Sequence, residues 1–214
     1  MKKTLIALAL VAITAPIAVQ ATQSNGIGYT YVQLDYVNVS QSGHGAVSNG
    51  AMLSGSYGFA DNFQVFGSYA DQSFNRSFLD VDSNIYGASA KVQPWTLGFG
   101  YAASIGSRAD WVTQLSDTYS RYSFHGCTNG YGCESFRDSN NTWAINTGVM
   151  GRVTDSLTAN AYVGYGNGGK NINGNIFADF GLVYSINPMW AIHGGVNVNN
   201  DSSETFSLGV RASF

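Results

Sequence analysis

Histidine and cysteine are the residue types of this chain best suited to nucleophilic or acid–base chemistry. His44 and His125 lie in polar, glycine-rich stretches, and His193 lies in a segment of alternating polarity. Nucleophilic hydrolysis needs a serine or cysteine beside a histidine and an orienting acid, and the chain has no Gly-x-Ser-x-Gly elbow. His125 comes near Glu134 and Asp138, but glycine-rich surface segments seldom hold such groups rigidly. The sequence therefore favours a protein that is not an enzyme.

The first residues have the pattern of an export signal. Lys2 and Lys3 precede an apolar core over 5–13, and Val19-Gln20-Ala21 resembles a cleavage site. We expect residues 1–21 to be a cleaved signal peptide and 22–214 to be the mature protein. Cleavage would leave 8 basic against 13 acidic residues, a formal charge of −5. This charge argues against nucleic acid as a partner, because phosphate binding needs a basic surface.

The two cysteines lie six residues apart in the segment HGCTNGYGC. An exported chain meets an oxidising compartment, which favours a Cys127–Cys133 disulfide. Zinc normally takes four ligands, and the chain offers only His125 beside this pair. We therefore expect a disulfide, with no metal site and no cofactor.

The composition is typical of closed β-structure with one face against lipid. Charged residues make up 11% of the chain, well below the ~25% of soluble domains. Glycine is abundant at 26 residues, proline is scarce at 3, and there are 13 tyrosines and 12 phenylalanines. Few charges, many aromatic residues and much glycine also exclude a disordered chain.

Polarity alternates with period two along the chain, which is the signature of β-strands. The last segment shows it best: Phe206, Leu208, Val210, Ala212 and Phe214 form an apolar face, opposite Ser207, Gly209, Arg211 and Ser213. Similar segments of about 9–11 residues, the length that spans a bilayer as a tilted strand, predict about ten strands. Tight connections are expected at 60–62, 105–108, 154–156 and 187–188, alternating with longer ones near 40–47, 75–91, 123–140, 166–173 and 199–203.

Short periplasmic turns that alternate with longer extracellular loops are typical of bacterial outer-membrane barrels. An open sheet edge in hydrocarbon would leave backbone groups unsatisfied, so the strands must close into a ring. A soluble sandwich or lipocalin-like barrel would instead expose the face rich in glycine, serine and asparagine, which is a poor soluble surface. The fold class predicted is therefore an antiparallel up-and-down transmembrane β-barrel, located in the outer membrane.

Several charged side chains fall on the face opposite the apolar one. Because successive side chains of a strand point to opposite faces, these residues are expected to point into the lumen. They are Asp35, Arg152, Asp179, His193 and Arg211. A barrel of eight to ten strands is only just wide enough for side chains, which favours a polar network that fills the lumen. The alternative is a narrow conduit whose charges set selectivity.

Four segments resemble a family of small outer-membrane β-barrels. They are NFQVFGSY at 62–69, WTLGFGY at 95–101, NPMWAI at 187–192 and FSLGVRASF at 206–214. The family is named for activating plant immunity in xanthomonad-type bacteria, and opacity-type or OmpX-like porins are more loosely similar. That looser likeness implies eight strands as the alternative count. Terminal Phe214, with Phe206, Leu208 and Val210 before it, resembles the signal read by the barrel-assembly machinery.

These observations predict a surface protein with a structural or interaction role, such as adhesion or envelope integrity. The extracellular loops, above all 123–140 with its disulfide, would make contact with a host or another cell surface. The expected partners are outer-membrane lipid, lipopolysaccharide and, during biogenesis, the assembly machinery. The alternative function is a small-solute porin.

Overall fold

The computed structural model describes residues 25–42, 45–74, 85–128, 132–168 and 174–214. The predicted signal peptide lies outside them. Within these ranges, no helix is long and apolar enough to span a membrane. Ten strands are present: β1 Tyr31–Gln41, β2 Gly45–Phe59, β3 Phe63–Phe74, β4 Ile85–Ser104, β5 Ala109–Thr128, β6 Gly132–Arg152, β7 Leu157–Asn167, β8 Asn175–Ser185, β9 Trp190–Asn199 and β10 Ser203–Ser213.

The strands form one closed antiparallel barrel, in which each strand pairs with its sequence neighbours. Closure comes from β1 and β10, which pair in register from Tyr31↔Ser213 to Gln41↔Ser203. The prediction of ten strands is confirmed, and the eight-stranded alternative is wrong. Closure satisfies the backbone groups of both terminal strands, which an open sheet would leave exposed.

The outer face of the barrel is a continuous apolar surface. Leu97 is 72% exposed and Leu208 is 64% exposed, which in water would be unfavourable for so many large side chains. Aromatic rings gather near the short turns, as in the cluster of Phe59, Phe63 and Phe99. An apolar band flanked by aromatic girdles is the lipid-facing surface of a transmembrane barrel.

Glycines make room for large side chains in the lumen. Phe66 lies over Gly98 and Phe177 over Gly164, each so close that a Cβ on the glycine would collide with the ring. Because the large residue and the glycine sit on paired strands, the ring lies flat against the wall. The lumen therefore keeps free space despite its aromatic residues.

Three consecutive strands are far longer than a bilayer requires. β4 and β5 each have 20 residues and β6 has 21, against ~9–11 for a spanning strand. A long loop was expected at 123–140, but β5 continues to Thr128 and β6 begins at Gly132. Residues 85–91, expected in another long connection, belong to β4. The alternation of Tyr86, Ala88, Ala90 and Val92 already indicated an extension of the strand there. The strands over 123–128 and 132–140 were not predicted, because both faces of a sheet in water can be polar and no strict apolar alternation is needed.

Residues 25–30 enter the lumen at the end of the barrel that carries the short turns. Asn25, Ile27 and Tyr29 are 3%, 3% and 6% exposed, while Gly26 and Gly28 between them are exposed. Ile27 and Tyr29 pack with Ala102, Val112 and Tyr162, which is the apolar cluster of the barrel interior. This segment is called the N-terminal plug below.

Candidate functional sites in the lumen and in the protruding sheet

Asp35 and His193 form a pair inside the barrel. Parity on β1 and β9 turns both side chains inward, and His193 Nδ1 lies 2.9 Å from Asp35 Oδ1. Gln33 donates from Nε2 to Asp35 Oδ2 at 2.6 Å. Asp35 is only 1% exposed, so these partners offset the cost of burying its charge.

The same glutamine connects Arg211 to this network. Arg211 Nε donates to Gln33 Oε1 at 2.7 Å, and the guanidinium lies 3.9 Å from the centre of the Tyr31 ring. Both strands of the closing pair thus contribute to one hydrogen-bonded chain, from Arg211 through Gln33 to Asp35 and His193. Such a network stiffens the seam where the barrel closes.

Asp179 and Arg152 lie away from this chain. Asp179 lines the same cavity as His193 and Arg211, but its partner is Asn160, which donates to it at 3.0 Å. Arg152 lies at the mouth of the barrel next to the short turns, where it contacts Asp155 at 3.3 Å and donates to the Asn25 carbonyl at 3.5 Å. The five residues predicted for the lumen therefore divide into a three-residue network, a separate aspartate and an arginine at the rim.

A second buried carboxylate, Asp110, holds the N-terminal plug. It is 0% exposed and accepts hydrogen bonds from Tyr29 Oη at 2.8 Å, from Ser104 Oγ at 2.9 Å and from the Asn25 amide. The sequence analysis missed Asp110 and the plug. Because Trp111 faces outward, its neighbour Asp110 could have been predicted to face the lumen. The sequence did not show which groups would bind this carboxylate.

A cavity of about 470 Å³ lies above the plug. Tyr29 and Tyr162 border it on the side of the plug, and Met52, Ser68 and Thr96 border it further along the strands. Its wall is a mixture of amides, hydroxyls and a few aromatic rings, and it includes the Arg211–His193 side of the network.

The tip of the β5–β6 hairpin carries the predicted disulfide, Cys127–Cys133. The two cysteines are directly paired across the strands. His125 lies beside them, with Nδ1 2.9 Å from Ser135 Oγ, and its ring together with the two sulfurs makes a potential metal cluster. With both sulfurs in a disulfide, however, no thiolate is available to bind a metal. Glu134 and Asp138 face the opposite side of the sheet, so they form no acid–base pair with His125.

The part of β4–β6 beyond the apolar band is called the protruding sheet, residues 85–93, 117–128 and 132–142. Its two faces differ in charge. Lys91, Arg121 and Arg137 are exposed on the face that continues the lipid-facing wall, because they share parity with Trp95 and Tyr119. Glu134 and Asp138 are exposed on the other face, with the aromatic side chains of Tyr122, Phe124 and Phe136.

The surroundings of the basic face shift the pKa of one tyrosine, Tyr119. Hydrogen bonds with Ser139 and Arg121 lower the pKa of the exposed Tyr119 hydroxyl below its usual value. Among the described residues the ion pairs involve Arg108, Arg152 and His193. The cations of the basic face, Lys91, Arg121 and Arg137, are not part of any of these pairs.

Solved structures show what this barrel is similar to. The translocator domain of the autotransporter NalP from Neisseria meningitidis aligns over 100% of this chain and 96% of its own, at 10% identity and TM-score 0.51. The attachment invasion locus protein Ail of Yersinia pestis aligns over 87% and 97% at 15% identity, TM-score 0.42. Neisserial surface protein A aligns over 87% and 96% at 15% identity, TM-score 0.44.

Comparison of the sequence with family models and with curated proteins gives no match. At such low identity the structural likeness shows the fold alone. The chain is a ten-stranded, closed, antiparallel β-barrel with the apolar outer wall of a membrane-spanning protein.

Proposed function

We propose that this protein is an integral outer-membrane barrel that presents the protruding sheet to the surroundings of the cell. The length of β4, β5 and β6 carries the proposal. About ten residues of each strand lie beyond the span, which corresponds to roughly 30 Å of sheet at ~3.3 Å per residue. An extension of this size has no role in crossing the membrane, so its use must lie outside it.

The protruding sheet is stiff enough to serve as a contact surface. β5 and β6 stay paired without a break from Ala109↔Gly151 to Thr128↔Gly132, and the disulfide fixes the tip. Phe136 is 63% exposed and Tyr122 is 40% exposed. Exposed aromatic residues on a rigid support are typical of protein interaction surfaces.

The basic face fits the anionic headgroups of lipopolysaccharide. Arg121 lies two residues beyond Tyr119 along β5, and the Lys91–Ser123–Arg137 row lies two residues further. At ~3.3 Å per residue these cations stand about 7–13 Å outside the aromatic girdle. Arg121 therefore stands within the headgroup layer, which adds roughly 5–8 Å on each side of the hydrocarbon, and the row with Lys91 and Arg137 stands just outside that layer.

Shortening the hairpin tests the surface role. Residues 121–139 are replaced by a tight turn across the Ser120↔Asn140 pair, and attachment of the bacteria to cultured cells and to sister cells is measured. We expect attachment to fall while the barrel stays folded and resistance to detergent is unchanged. A control variant with Tyr122→Ser and Phe136→Ser keeps the full hairpin. It distinguishes the contribution of the aromatic side chains to attachment from that of the hairpin's length. Attachment that is unaffected by the shortened hairpin would refute the surface role.

The contact between the basic face and lipopolysaccharide is tested by comparing substitutions on the two faces of the protruding sheet. Arg121→Ala with Arg137→Ala is expected to remove most of the thermal stabilisation that lipopolysaccharide vesicles give over phosphatidylcholine vesicles. Glu134→Ala with Asp138→Ala is the matched control and should leave it unchanged or increase it. Equal effects of the two pairs would contradict a lipid-facing basic surface. High salt should weaken the effect, because exposed charges are screened.

The lumen cavity favours a second function, a narrow porin for small solutes. The N-terminal plug opposes it, because Asn25, Ile27 and Tyr29 occupy the periplasmic mouth. Planar bilayers distinguish the two. A reproducible unit conductance that changes in Arg152→Ala or Arg211→Ala would establish the porin, whereas a folded barrel without conductance would exclude it.

Membership of the plant-immunity family also stays a proposal, supported by the four segments that resemble it. The same holds for recognition of the final strand by the barrel-assembly machinery. Its apolar side chains Phe206, Leu208 and Val210 are 47%, 64% and 50% exposed on the outer wall, which leaves them accessible to another protein during assembly.

A further inference from the structure

Two side chains of opposite charge line the lumen cavity without an ion-pair partner. Arg211 extends inward from β10 and Asp179 from β8, and both are half-buried in the wall of the cavity. The ion pairs among the described residues are Arg108–Asp155, Arg152–Asp155 and His193–Asp35. Because Arg211 and Asp179 take part in none of them, each presents an uncompensated charge to the cavity.

Neutral contacts hold the Arg211 side chain in place. Its Nε donates to Gln33 Oε1 at 2.7 Å, and the guanidinium lies 3.9 Å from the centre of the Tyr31 ring. Arg211 forms no other hydrogen bond with the described residues, which leaves the two terminal nitrogens of the guanidinium for a ligand. Two parallel hydrogen bonds to a carboxylate are the contact that a guanidinium favours.

Neutral groups also surround Asp179. Asn160 Nδ2 donates to Asp179 Oδ1 at 3.0 Å, and Asn197 is paired with Asp179 across β8 and β9. Amide groups orient the carboxylate but do not neutralise its charge. An ammonium group in the cavity would supply the missing counter-charge and a charge-assisted hydrogen bond, which is stronger than a neutral one.

Strand register separates these two charged groups along the barrel. Arg211 pairs with Ala191 on β9, whereas Asp179 pairs with Asn197, six residues further along the same strand. This is about 20 Å of strand at ~3.3 Å per residue. The length of the arginine side chain shortens the gap, and Tyr162 lies within electrostatic reach of both groups. A ligand that contacts both therefore needs its own charges at opposite ends of an extended molecule.

The cavity has room for such a molecule. Its volume of about 470 Å³ lies within the ~300–1,000 Å³ of small-molecule sites. Tyr29 of the N-terminal plug borders one side, and the half-buried side chains of Ser54, Ser68 and Gln114 add hydroxyl and amide groups to the wall. These groups can form hydrogen bonds with a polar molecule that extends between the two charges.

We propose that the lumen binds a small linear zwitterion, such as a dipeptide or an ω-amino acid of similar length. Its carboxylate binds the Arg211 guanidinium, and its ammonium group binds the Asp179 carboxylate. A simple anion or cation gains one of these contacts and leaves the other charge unmatched. The site is independent of the surface role of the protruding sheet and of whether the lumen conducts.

Calorimetry on the purified, folded barrel at neutral pH tests this site with diglycine and 6-aminohexanoate. Each zwitterion has two counterparts, one acetylated at the amine and one amidated at the carboxylate, and each modification removes one charge. We expect at least one zwitterion to bind roughly tenfold more tightly than both of its counterparts, the gain from a hydrogen bond to a charged group. Glycine, whose charges are too close together to reach both groups, should also bind roughly tenfold more weakly.

Substitutions in the cavity should remove the preference for one end of the ligand only. Asp179→Asn is expected to bind the zwitterion and its acetylated counterpart about equally and still to discriminate against the amidated one. Arg211→Met should show the reverse. Arg108→Gln and Asp201→Asn are the matched controls, because they change the charge by the same amounts outside the cavity, and they should bind like the unmodified barrel. If Arg211→Met does not fold, Asp179→Asn and the modified ligands still decide.

Each other result overturns the proposal. If neither zwitterion binds, the two charges face only water. A counterpart that binds as tightly as its zwitterion would show that the charge it lacks is not recognised. Glycine that binds equally well would contradict a ligand held at opposite ends. Equal losses for all ligands in Asp179→Asn would indicate a general effect on the fold, and the same losses in the two controls would place the binding outside the cavity.

Discussion

At the scale of single residues, the lumen depends on glycines as much as on the polar groups they accommodate. Gly209 on β10 pairs with Asp35 on β1. A Cβ at Gly209 would overlap the Leu34 carbonyl oxygen and lie 2.7 Å from the Asp35 Cα. The close approach of these strands at the seam therefore needs a residue without a side chain.

Gly209→Ala is expected to lower the free energy of unfolding by about 1–3 kcal/mol, the usual cost of overpacking. Urea unfolding from lipid vesicles measures it. Gly106→Ala is the control, because no atom lies within 4 Å of its Cβ position, and it should change the free energy by less than about 0.5 kcal/mol. Equal stability of the two variants would contradict the tight seam.

Asp110 is the residue on which the N-terminal plug depends. Asp110→Ala removes the acceptor of the Tyr29 hydroxyl and of the Asn25 amide, and each stranded buried donor costs about 1–3 kcal/mol. We expect the plug to leave the lumen and chymotrypsin to cleave after Tyr29. Asp117→Ala, on the same strand but exposed, should stay resistant. Resistance in both variants would show that packing of Ile27 alone holds the plug.

At the scale of elements, the protruding sheet and the barrel wall are stabilised differently. The wall has lipid on one side and the side chains and cavity of the lumen on the other. The sheet beyond it carries exposed polar and charged side chains on both faces, and its tip has the disulfide in place of apolar burial. The sheet can therefore lose order at its tip while the barrel below stays intact.

Replacing both cysteines, Cys127→Ser with Cys133→Ser, should loosen this tip selectively. Closing so short a loop contributes about 2 kcal/mol in the chain-entropy model. Hydrogen exchange of the amides near Phe124 and Phe136 is then expected to accelerate roughly thirtyfold, since ~1.4 kcal/mol is a factor of ten. The barrel's unfolding temperature should not change, and a reducing agent should have the same effect on the unmodified protein. Unchanged exchange would mean that strand pairing alone holds the tip.

At the scale of the whole molecule, closure at β1 and β10 determines whether the barrel exists. The seam extends to the last residue, where the Phe214 amide donates to the Thr30 carbonyl at 3.1 Å. The last strand of the barrel therefore joins the first along its whole length, from Tyr31↔Ser213 to Gln41↔Ser203.

Deleting Phe214 is expected to lower the amount of folded protein in the outer membrane several-fold, and more than shortening the β5–β6 hairpin does. The deletion removes a seam hydrogen bond and the terminal aromatic residue. Immunoblots of unboiled outer-membrane fractions measure the folded form. Equal amounts of folded protein in the two variants would show that the terminus is not an assembly signal.

Gel mobility tests closure itself. Because every strand edge is paired in the ring, the barrel should resist unfolding by detergent at room temperature and migrate anomalously until boiled. A chain with the same mobility before and after boiling would refute a closed barrel.

The sequence alone determined the strand number, the inward or outward direction of most side chains and the disulfide. Period-two alternation is a local property, since neighbouring side chains must face lipid and lumen in turn. It therefore predicted that Phe206, Leu208 and Val210 face outward and that His193 and Arg211 face inward without any knowledge of pairing.

Only the tertiary structure decided which inward residues meet. Register and tilt bring Asp35 to His193, 158 positions away, and leave Arg152 at the rim, although parity treats all three alike. The plug at 25–30 and the buried Asp110 could not be predicted for the same reason, since their partners lie on distant strands. The β5 and β6 parts of the protruding sheet were also missed, because a sheet in water needs no apolar alternation, whereas alternation from Tyr86 to Val92 did indicate the extension of β4. The alternation along a strand determines whether a residue faces lipid or lumen. The register between strands determines its position along the barrel axis and its neighbours.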